Sequence, residues 1–267
     1  MSEASASTPV DVQIVGGGRM GEALLSGLLA ADPSRRIRVV EALAARADEL
    51  RSAHPSIEVA DAPGPAAGTV LAVKPHQIVD VCGAVAAADG GRVLSIAAGV
   101  TIATIEDALP AGTPVVRAMP NTPALVGQGA AAIAPGANAS EADVDWAEAI
   151  LGAVGSVARV PEHLLDAVTG LSGSGPAYVF VVLDALIEGG VAAGLPRETA
   201  ESLAGQTLLG AASLYLAGDK SPGELRAQVT SPGGTTAAGL RVLEQRAVRS
   251  ALIDAVIAAR DRSIELS

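Results

Sequence analysis

The sequence predicts an α/β protein, with a doubly wound sheet in its amino-terminal part and an all-helical carboxy-terminal part. Three observations predict this class. Strand-like and helix-like segments alternate as far as residue 160, which is typical of a parallel sheet covered by helices. A glycine-rich turn at residues 16–21 joins the first strand to the first helix. After Pro161 no further strand with turn signals is evident, and helical segments follow one another.

Strands are expected where short apolar runs end in turn residues. The runs that fit are 10–15, 37–40, 57–59, 69–73, 92–96, 115–119 and 156–160. Helices are expected between them. Their predicted positions are 22–31, 43–51, 76–88, 102–109 after the cap Thr101, and a helix through residue 153 that Ser140 and Asp143 cap.

The second part carries clear helix-terminal signals. Gly194 ends one helix, and Pro196 stands at the first position of the next. Residues 221–224, Ser-Pro-Gly-Glu, form a capping box. The predicted helices are 162–171, 176–193, 197–217, 222–229, 235–244 and 247–266. The chain therefore divides into a flexible tail at 1–9, a first domain at 10–160 and a helical domain at 161–267.

The composition of the 267 residues excludes several classes of partner. The formal charge is −11, and the chain has two lysines, one Phe, one Trp and two Tyr. Nucleic-acid binding needs a basic stripe and stacking aromatic residues, so nucleic acid is excluded as a partner. One cysteine and three scattered histidines predict neither an internal disulfide nor a metal site.

A membrane location is not expected. The first residues, Met-Ser-Glu-Ala-Ser, do not have the pattern of a signal peptide. The most apolar stretch, 177–193, carries Asp184 and Glu188, which disfavours a membrane span. These two carboxylates are interpreted as a solvated or interface-lining stripe rather than an acid–base pair. We expect a cytoplasmic protein that buries further Ala, Val and Leu between subunits.

The turn at 16–21 has the spacing G-x-G-x-x-G between a strand and a helix. Gly16 allows the turn, Gly18 lets a pyrophosphate approach the backbone, and Gly21 lets the helix pack on the strand. The alternative is a purely structural glycine turn. The flanking strand and helix favour dinucleotide binding, and so a Rossmann-like domain.

Glu41 ends the second predicted strand, about 20 residues after the glycines, where an acidic residue accepts bonds from the adenosine ribose of NAD. The other interpretation is an exposed carboxylate at a strand end. Arg46, in the next helix, is near enough in sequence to receive a 2′-phosphate instead. The choice between NADH and NADPH stays open, although Glu41 favours NADH.

Two further turns, at 72–75 and 97–99, follow strands and so belong to the edge where such sheets bind ligands. Their small residues allow a flat cofactor ring to approach closely. Lys74 is not assigned a catalytic role from its position alone. Asn121, in the rigid loop 120–123, either contacts the nicotinamide or forms a local turn.

Residues 231–236, Ser-Pro-Gly-Gly-Thr-Thr, lead directly into a predicted helix. Adjacent glycines and the unpaired N–H groups of a helix start can form an anion site from backbone alone. Two threonine hydroxyls lie beside it. A Pro-Gly turn with a threonine N-cap explains the local sequence equally well.

A nucleotide-binding domain followed by a helical domain is the plan of several dehydrogenase families. Hydroxyacid dehydrogenases of this plan need a lysine in the helical domain as an acid–base group. Here the helix after residues 172–176 has none, and Lys220 is the only lysine beyond residue 160. Hydride transfer to an already protonated imine fits, because it needs little acid–base assistance.

Six segments, from Val12 onward, give the sequence a specific resemblance to the pyrroline-5-carboxylate reductases. They are GGGRMG at 16–21, AVKP at 72–75, SIAAGV at 95–100, RAMPNTP at 117–123, GLSGSGPAY at 170–178 and VTSPGGTT at 229–236. The last segment resembles the signature of the family. The departure is at 41–43, Glu-Ala-Leu, which lacks the hydroxyl and basic residues expected of a dedicated NADPH enzyme.

The resemblance implies reduction of 1-pyrroline-5-carboxylate to proline with NADPH or NADH, the last step of proline biosynthesis. It implies Thr236 as the catalytic residue, bonded to the ring nitrogen. It also implies a homodimer, which in many members of the family assembles into a decamer. The residues expected to hold the substrate are Ser231, Gly233, Gly234, Thr235 and Thr236.

The residues expected to bind the cofactor come from the glycine turn, the strand ends and one loop. They are Gly16, Gly17, Gly18, Arg19, Met20, Glu41, Ala72, Val73, Lys74, Pro75, Ile96, Ala97, Ala98 and Asn121. Two alternatives stay open: another imino- or oxo-acid reductase of the same architecture, and a non-catalytic NAD(P)H sensor. The oligomer size and any response to proline stay open as well.

Overall fold

The computed structural model describes residues 9–266 of the chain. The predicted flexible tail at 1–9 therefore lies outside the described residues except for its last position. The described residues form two compact units, one made of 9–173 with 259–266 and the other of 174–258. The domain boundary predicted between residues 160 and 161 stays a prediction.

The first unit contains one eight-stranded sheet. Its strands are β1 (Val12–Val15), β2 (Ile37–Val40), β3 (Glu58–Ala60), β4 (Gly68–Leu71), β5 (Arg92–Ser95), β6 (Val115–Met119), β7 (Gly129–Pro135) and β8 (Gly155–Arg159). The order across the sheet is β3-β2-β1-β4-β5-β6-β7-β8. The first six strands are parallel, and β7 runs antiparallel to β6 and parallel to β8. The predicted doubly wound α/β class is confirmed.

β7 has no counterpart among the predicted strands. Its sequence, GAAAIAP, is rich in alanine and glycine, which are depleted in strands, so the sequence pattern does not predict a strand there. Tertiary contacts supply what the local sequence lacks: Ala132, Ile133 and Ala134 are all buried. Met119 of β6 pairs with Ala132, and Ile133 pairs with Arg159 of β8.

Helices cover both faces of this sheet. They are α1 (Arg19–Ala31), α2 (Ala44–Ala53), α3 (Ile78–Ala87), α4 (Ile102–Asp107), α5 (Glu141–Gly152) and α6 (Leu165–Val168). Short 3₁₀ turns at Pro75–Gln77, Thr122–Val126 and Glu162–Leu164 and a π-helical turn at Thr169–Gly173 complete the unit.

Strand alternation explains the two apolar layers. Ile14 belongs to a cluster with Leu24 and Leu28 of α1, whereas its neighbour Val15 belongs to a second cluster with Ile78 of α3. Successive side chains of a strand point to opposite faces, so one strand contributes side chains to both apolar layers. This double burial is what a parallel sheet covered by helices requires.

The predicted caps of α4 and α5 are confirmed. Thr101 Oγ1 accepts the Thr104 backbone N–H at 3.2 Å. The carboxylate of Asp143 accepts both the N–H and the hydroxyl of Ser140, at 2.9 and 2.6 Å. These local bonds fix where α4 and α5 begin, because they satisfy donors that the helix itself leaves unpaired.

The second unit is helical. It contains α7 (Gly175–Ala192), α8 (Arg197–Leu216), α9 (Pro222–Gln228), α10 (Thr235–Gln245) and the start of α11 (Val248–Leu266), whose last residues belong to the first unit. The capping box of α9 is present: Ser221 N–H donates to Glu224 at 2.9 Å, and Ser221 Oγ accepts the Glu224 N–H at 3.3 Å. The pKa of Glu224 is lowered, because the Ser221 hydroxyl and N–H both donate to it.

Much of this helical unit is apolar and exposed. By length and composition alone, the helical stretch Glu162–Ala192 is able to cross a membrane, and none of its most apolar window is buried. The side chains of Val179, Phe180 and Val181 in α7 are at least half exposed. Glu188 of the same helix pairs with Arg197 at 2.6 Å.

Candidate active site

A pocket of about 980 Å³ lies at the carboxyl ends of the parallel strands. The chain leaves β1 toward β2 and β3 on one side, and β4 continues the sheet on the other side. Ligands of doubly wound sheets bind at this kind of switch point. The lining comes from the segments that follow β1 to β6, together with the first turns of α3.

The glycine turn after β1 forms one wall of the pocket. Gly16 has φ +104, and a Cβ there would lie 2.6 Å from the Ala72 carbonyl oxygen. A Cβ on Gly21 would lie 2.1 Å from the Gly16 carbonyl oxygen. Around Gly18, by contrast, no heavy atom lies within 4 Å of the Cβ position. Gly16 and Gly21 are therefore needed for packing, and Gly18 leaves open space.

This arrangement fits a dinucleotide. Gly18 is the N-cap of α1 and has no side chain to bond the first N–H groups of that helix. Such groups bind the pyrophosphate of dinucleotides, and the helix dipole favours the negative charge. The open space at Gly18 is where the pyrophosphate would approach.

Glu41, at the end of β2, is bonded to the same turn. Its Oε2 accepts the Gly17 N–H at 3.0 Å, and its Oε1 accepts the Leu43 N–H at 2.9 Å. Glu41 also lines the pocket. The carboxylate is thus fixed by two backbone donors and keeps acceptor capacity for further hydroxyl groups.

Arg46 is held by the protein itself. Its Nε donates to the Gly17 carbonyl oxygen at 2.8 Å, and its other nitrogens bond Glu49 at 2.8 Å and Glu22 at 2.5 Å. The hydrogen bonds to Glu49 and Glu22 raise the pKa of Arg46, and the bond from Arg46 lowers the pKa of Glu22. Arg46 therefore supports the glycine turn from behind. Arg46 does not belong to the pocket lining that the described residues form.

The turns after β4 and β5 form the opposite wall. The side chain of Lys74 is exposed, and its backbone N–H donates to Gln77 at 3.3 Å. Ala97 is buried, and its N–H donates to Ser95 Oγ at 3.4 Å. The alanines of these two turns, Ala72, Ala97 and Ala98, leave space beside the strand ends for a flat ring.

Asn121 has both ends of its amide engaged. Its Nδ2 donates to the Ser172 carbonyl oxygen at 3.0 Å, and its Oδ1 accepts the Ala130 N–H at 2.8 Å. The side chain thus joins the loop after β6 to β7 and to the π-helical turn Thr169–Gly173. Of the described residues, Met119 and Pro120 line the pocket from this segment, and Asn121 does not.

The second predicted site lies at the start of α10. Ser231 accepts the Gly234 N–H through its carbonyl oxygen at 3.1 Å, and Gly233 has φ +69. Proline at the second position and a positive φ at the third define a type II turn. Gly234, not a threonine, is the N-cap, and it makes no side-chain cap bond. A threonine N-cap is therefore ruled out here.

The turn leads directly into the start of α10. Thr235 and Thr236 are the first two residues of α10, with Thr235 exposed and Thr236 half-buried. The N–H groups of the first helical turn have no acceptor within the helix. An anion at this position would meet these N–H groups together with the positive end of the helix dipole.

Most residues that the sequence suggests for the cofactor come together in the pocket. The shared residues are Gly16, Gly18, Arg19, Met20, Glu41, Ala72, Val73, Lys74, Pro75, Ile96, Ala97 and Ala98. Gly17 and Asn121 contribute through bonds to neighbouring segments instead. Asp61 and Pro63, after β3, line the pocket and were missed. Their position after a parallel strand is the signal that could have identified them.

Comparison with known proteins assigns both parts of the chain. Residues 11–99 match the family model for NADP oxidoreductase, coenzyme F420-dependent, and residues 162–266 match the model for pyrroline-5-carboxylate reductase dimerisation. A pyrroline-5-carboxylate reductase of Mycobacterium tuberculosis is 44% identical over 285 residues, covering 96% of each chain. Another, from Synechocystis, is 46% identical over 263 residues and covers 96% of this chain and 98% of its own.

The chain belongs to the pyrroline-5-carboxylate reductase family. Solved structures agree with this membership. The pyrroline-5-carboxylate reductase of Coxiella burnetii superposes with a TM-score of 0.91 at 37% identity, covering 97% of this chain and 99% of its own. That of Plasmodium falciparum, solved with NADP bound, gives a TM-score of 0.83 at 27% identity, covering 96% and 98%.

Proposed function

We propose that this chain reduces 1-pyrroline-5-carboxylate to L-proline with NADPH or NADH. The observation that carries the proposal is the dinucleotide-type pocket in a chain that aligns over 96% of its length with pyrroline-5-carboxylate reductases. In the reaction, a hydride adds to the carbon of the protonated C=N bond. The C=N π electrons become the nitrogen lone pair, and the product is a secondary amine.

The substrate carboxylate is the anion that the start of α10 would hold. Ser231, Gly233 and Gly234 shape the turn, and the N–H groups that follow point past an N-cap without a side chain. Backbone donors of this kind fix a carboxylate without a lysine or arginine. In this proposal the carboxylate contact orients the ring and leaves the imine carbon free to react.

Thr236 is the proposed partner of the ring nitrogen. Its hydroxyl can accept the N–H of the iminium, and it lies at the second position of α10. The nitrogen needs no proton donor during the reaction, because the substrate enters already protonated. Catalysis then comes mainly from holding the reacting groups in position.

The bound dinucleotide supplies the hydride from its reduced nicotinamide. The first N–H groups of α1 would hold its pyrophosphate beside Gly18, and Glu41 would accept hydroxyls of its adenosine ribose. The turns after β4 and β5 would lie beside the ring.

We also propose a homodimer formed by the helical domain at 161–267, in the cytoplasm. The exposed apolar side chains of α7 support it, and so does the match of residues 162–266 to a dimerisation model. A second copy of the chain, rather than a bilayer, would cover this surface. Assembly of dimers into a decamer is the larger form of the same proposal.

Cofactor oxidation tests the reaction. Purified protein is mixed with 1-pyrroline-5-carboxylate and NADH or NADPH, and the loss of reduced-nicotinamide absorbance is followed. Oxidation that depends on the substrate and yields proline supports the proposal. Cofactor binding without oxidation would favour the NAD(P)H sensor, and oxidation only with other imino or oxo acids would favour a different reductase.

A further inference from the structure

We propose that this chain binds NADH in preference to NADPH, because Glu41 and Asp61 place two carboxylates at the adenosine end of the pocket. The inference rests on the proposed function only for the class of cofactor. It concerns binding, and its test does not depend on the substrate.

The strand register brings the two carboxylates to the same edge. Val40 of β2 pairs with Ala60 of β3, and the Glu41 N–H donates to the Ala60 carbonyl oxygen at 3.0 Å. Glu41 and Asp61 each follow directly after one residue of this pair, and both line the pocket. In doubly wound domains the adenosine ribose lies at the end of the second strand.

Glu41 is held in place there. Its two backbone donors, the N–H groups of Gly17 and Leu43, bond different oxygens of the carboxylate. A carboxylate has about four acceptor sites, so roughly two remain for ribose hydroxyls. The same two bonds keep the carboxylate from turning away when a 2′-phosphate replaces the hydroxyl.

The first cation after Glu41 in the sequence, Arg46, is already compensated. Arg46 bonds Glu22 and Glu49 as well as the Gly17 carbonyl oxygen. Moving it toward a 2′-phosphate would break its ion pairs with both carboxylates and remove a support of the glycine turn. The structure therefore gives Arg46 a structural task that competes with phosphate recognition.

The cations that line the pocket follow strands other than β2 and β3. Within the part of the chain that the structure describes, they are Arg19, which begins α1, and Lys74, which follows β4. On the side of β2 and β3, the charged lining residues are Glu41 and Asp61. A phosphate monoester carries about −1.5 to −2 charges near pH 7. Repulsion from two carboxylates would weaken its binding by roughly tenfold or more.

Calorimetric titration with two fragments tests this directly. ADP-ribose and 2′-phospho-ADP-ribose differ only at the phosphate and contain no nicotinamide. The wild-type chain is expected to bind ADP-ribose about tenfold or more tighter at low salt, and the ratio should narrow at high salt because screening weakens the repulsion. Equal binding, or tighter binding of the phosphorylated fragment, overturns the inference.

Two variants and a control locate the cause. Glu41→Gln and Asp61→Asn should each narrow the ratio of the two affinities several-fold. Asp61→Asn should do so chiefly through tighter binding of the phosphorylated fragment, and Glu41→Gln also through weaker binding of ADP-ribose. Glu41→Gln could disturb the glycine turn, to which Glu41 is bonded. Asp61→Asn changes an exposed side chain, so it tests the effect of charge without that disturbance. Asp48→Asn removes one exposed charge from α2 outside the pocket lining and should leave the ratio unchanged. An unchanged ratio in both pocket variants would contradict the inference.

The two proposals fail separately. If the chain prefers ADP-ribose but does not reduce 1-pyrroline-5-carboxylate, the proposed reaction is wrong and the cofactor preference stands. If it reduces the substrate but binds the phosphorylated fragment more tightly, the reaction stands and the role of Glu41 and Asp61 is wrong.

Discussion

Thr236 is the residue on which the proposed reaction depends most. Thr236→Ala removes the hydroxyl that would bond the ring nitrogen, and turnover should fall roughly tenfold to a hundredfold, as for other bonds to charged groups. Binding of ADP-ribose should not change, because Thr236 belongs to α10 and not to the dinucleotide pocket. Steady-state rates and calorimetric titration measure the two effects.

The conservative variant Thr236→Ser is the matched control for this substitution. It keeps the hydroxyl and should recover most of the activity. Unchanged turnover in Thr236→Ala would remove Thr236 from the mechanism, whereas a loss shared equally by both variants would point to packing of α10.

The reactivity of Cys82 reports on the packing of the first unit. The thiol is fully buried in α3, and burial raises its pKa to about 11. At pH 8 roughly one thiol in a thousand would be ionised, and the reactive form is the thiolate. A chromogenic disulfide reagent should therefore react very slowly with the native protein and rapidly after denaturation. Stoichiometric reaction with the native protein within minutes would contradict the buried position.

The sequence could place charged residues near the pocket but could not assign their hydrogen bonds. The position of Glu41 in the pocket lining was predictable, because an acidic residue at that distance from the glycines follows the second strand of such domains. Arg46 and Asn121 were predicted as possible cofactor contacts, and the structure shows both in bonds to other segments of the chain. Which acceptor a long side chain reaches is decided by tertiary neighbours, and local sequence does not contain them.

In the glycine turn, protein stability and ligand binding are expected to depend on different residues. Gly21→Ala would bring a Cβ within 2.1 Å of the Gly16 carbonyl oxygen, so the backbone must shift. Overpacking of this kind costs about 1–3 kcal/mol, and the Tm should fall by several degrees. Gly18→Ala meets no heavy atom within 4 Å and should keep the Tm.

The binding of ADP-ribose, in contrast, should weaken in Gly18→Ala. The added methyl group occupies the space through which a pyrophosphate would approach, and the affinity for ADP-ribose should fall at least about tenfold. Thermal unfolding and calorimetric titration of the two variants check both effects. Full ADP-ribose affinity in Gly18→Ala would mean that the ligand does not lie against this glycine.

Regular elements were predictable to the extent that local sequence determines them. β2 and β6 have the predicted bounds, and the capped starts of α4, α5 and α9 follow from Thr101, Ser140 and Ser221. β7 was not predictable, because its alanines form a strand only through pairing with β6 and β8. The pattern also gave no sign of the π-helical turn Thr169–Gly173, which Asn121 helps to hold.

At the scale of the whole molecule, the apolar surface of α7 predicts association. Phe180 is 64% exposed, and Val179 and Val181 beside it are also exposed. Without detergent, the wild-type chain should elute at twice the chain mass or a higher multiple in size-exclusion chromatography with light scattering. Phe180→Glu should shift it toward the monomer, because a charge in an apolar interface loses its hydration.

Ser52→Glu is the matched control for that substitution, since it adds the same charge at an exposed position of α2, outside the helical domain. It should leave the mass unchanged. A wild-type chain that is monomeric at micromolar concentration would contradict the proposed dimer. A dimeric Phe180→Glu variant would show that the interface lies elsewhere on the helical domain.

Transfer of a labelled hydride from the dinucleotide to the substrate is the decisive test of the proposed reaction. The chain is incubated with 1-pyrroline-5-carboxylate and a reduced dinucleotide in which both hydrogens on C4 of the nicotinamide are replaced by deuterium. The proposed reaction yields proline that is heavier by one mass unit, with the deuterium on the former imine carbon, as measured by mass spectrometry and NMR. Unlabelled proline, or no proline while the dinucleotide remains bound, would contradict it.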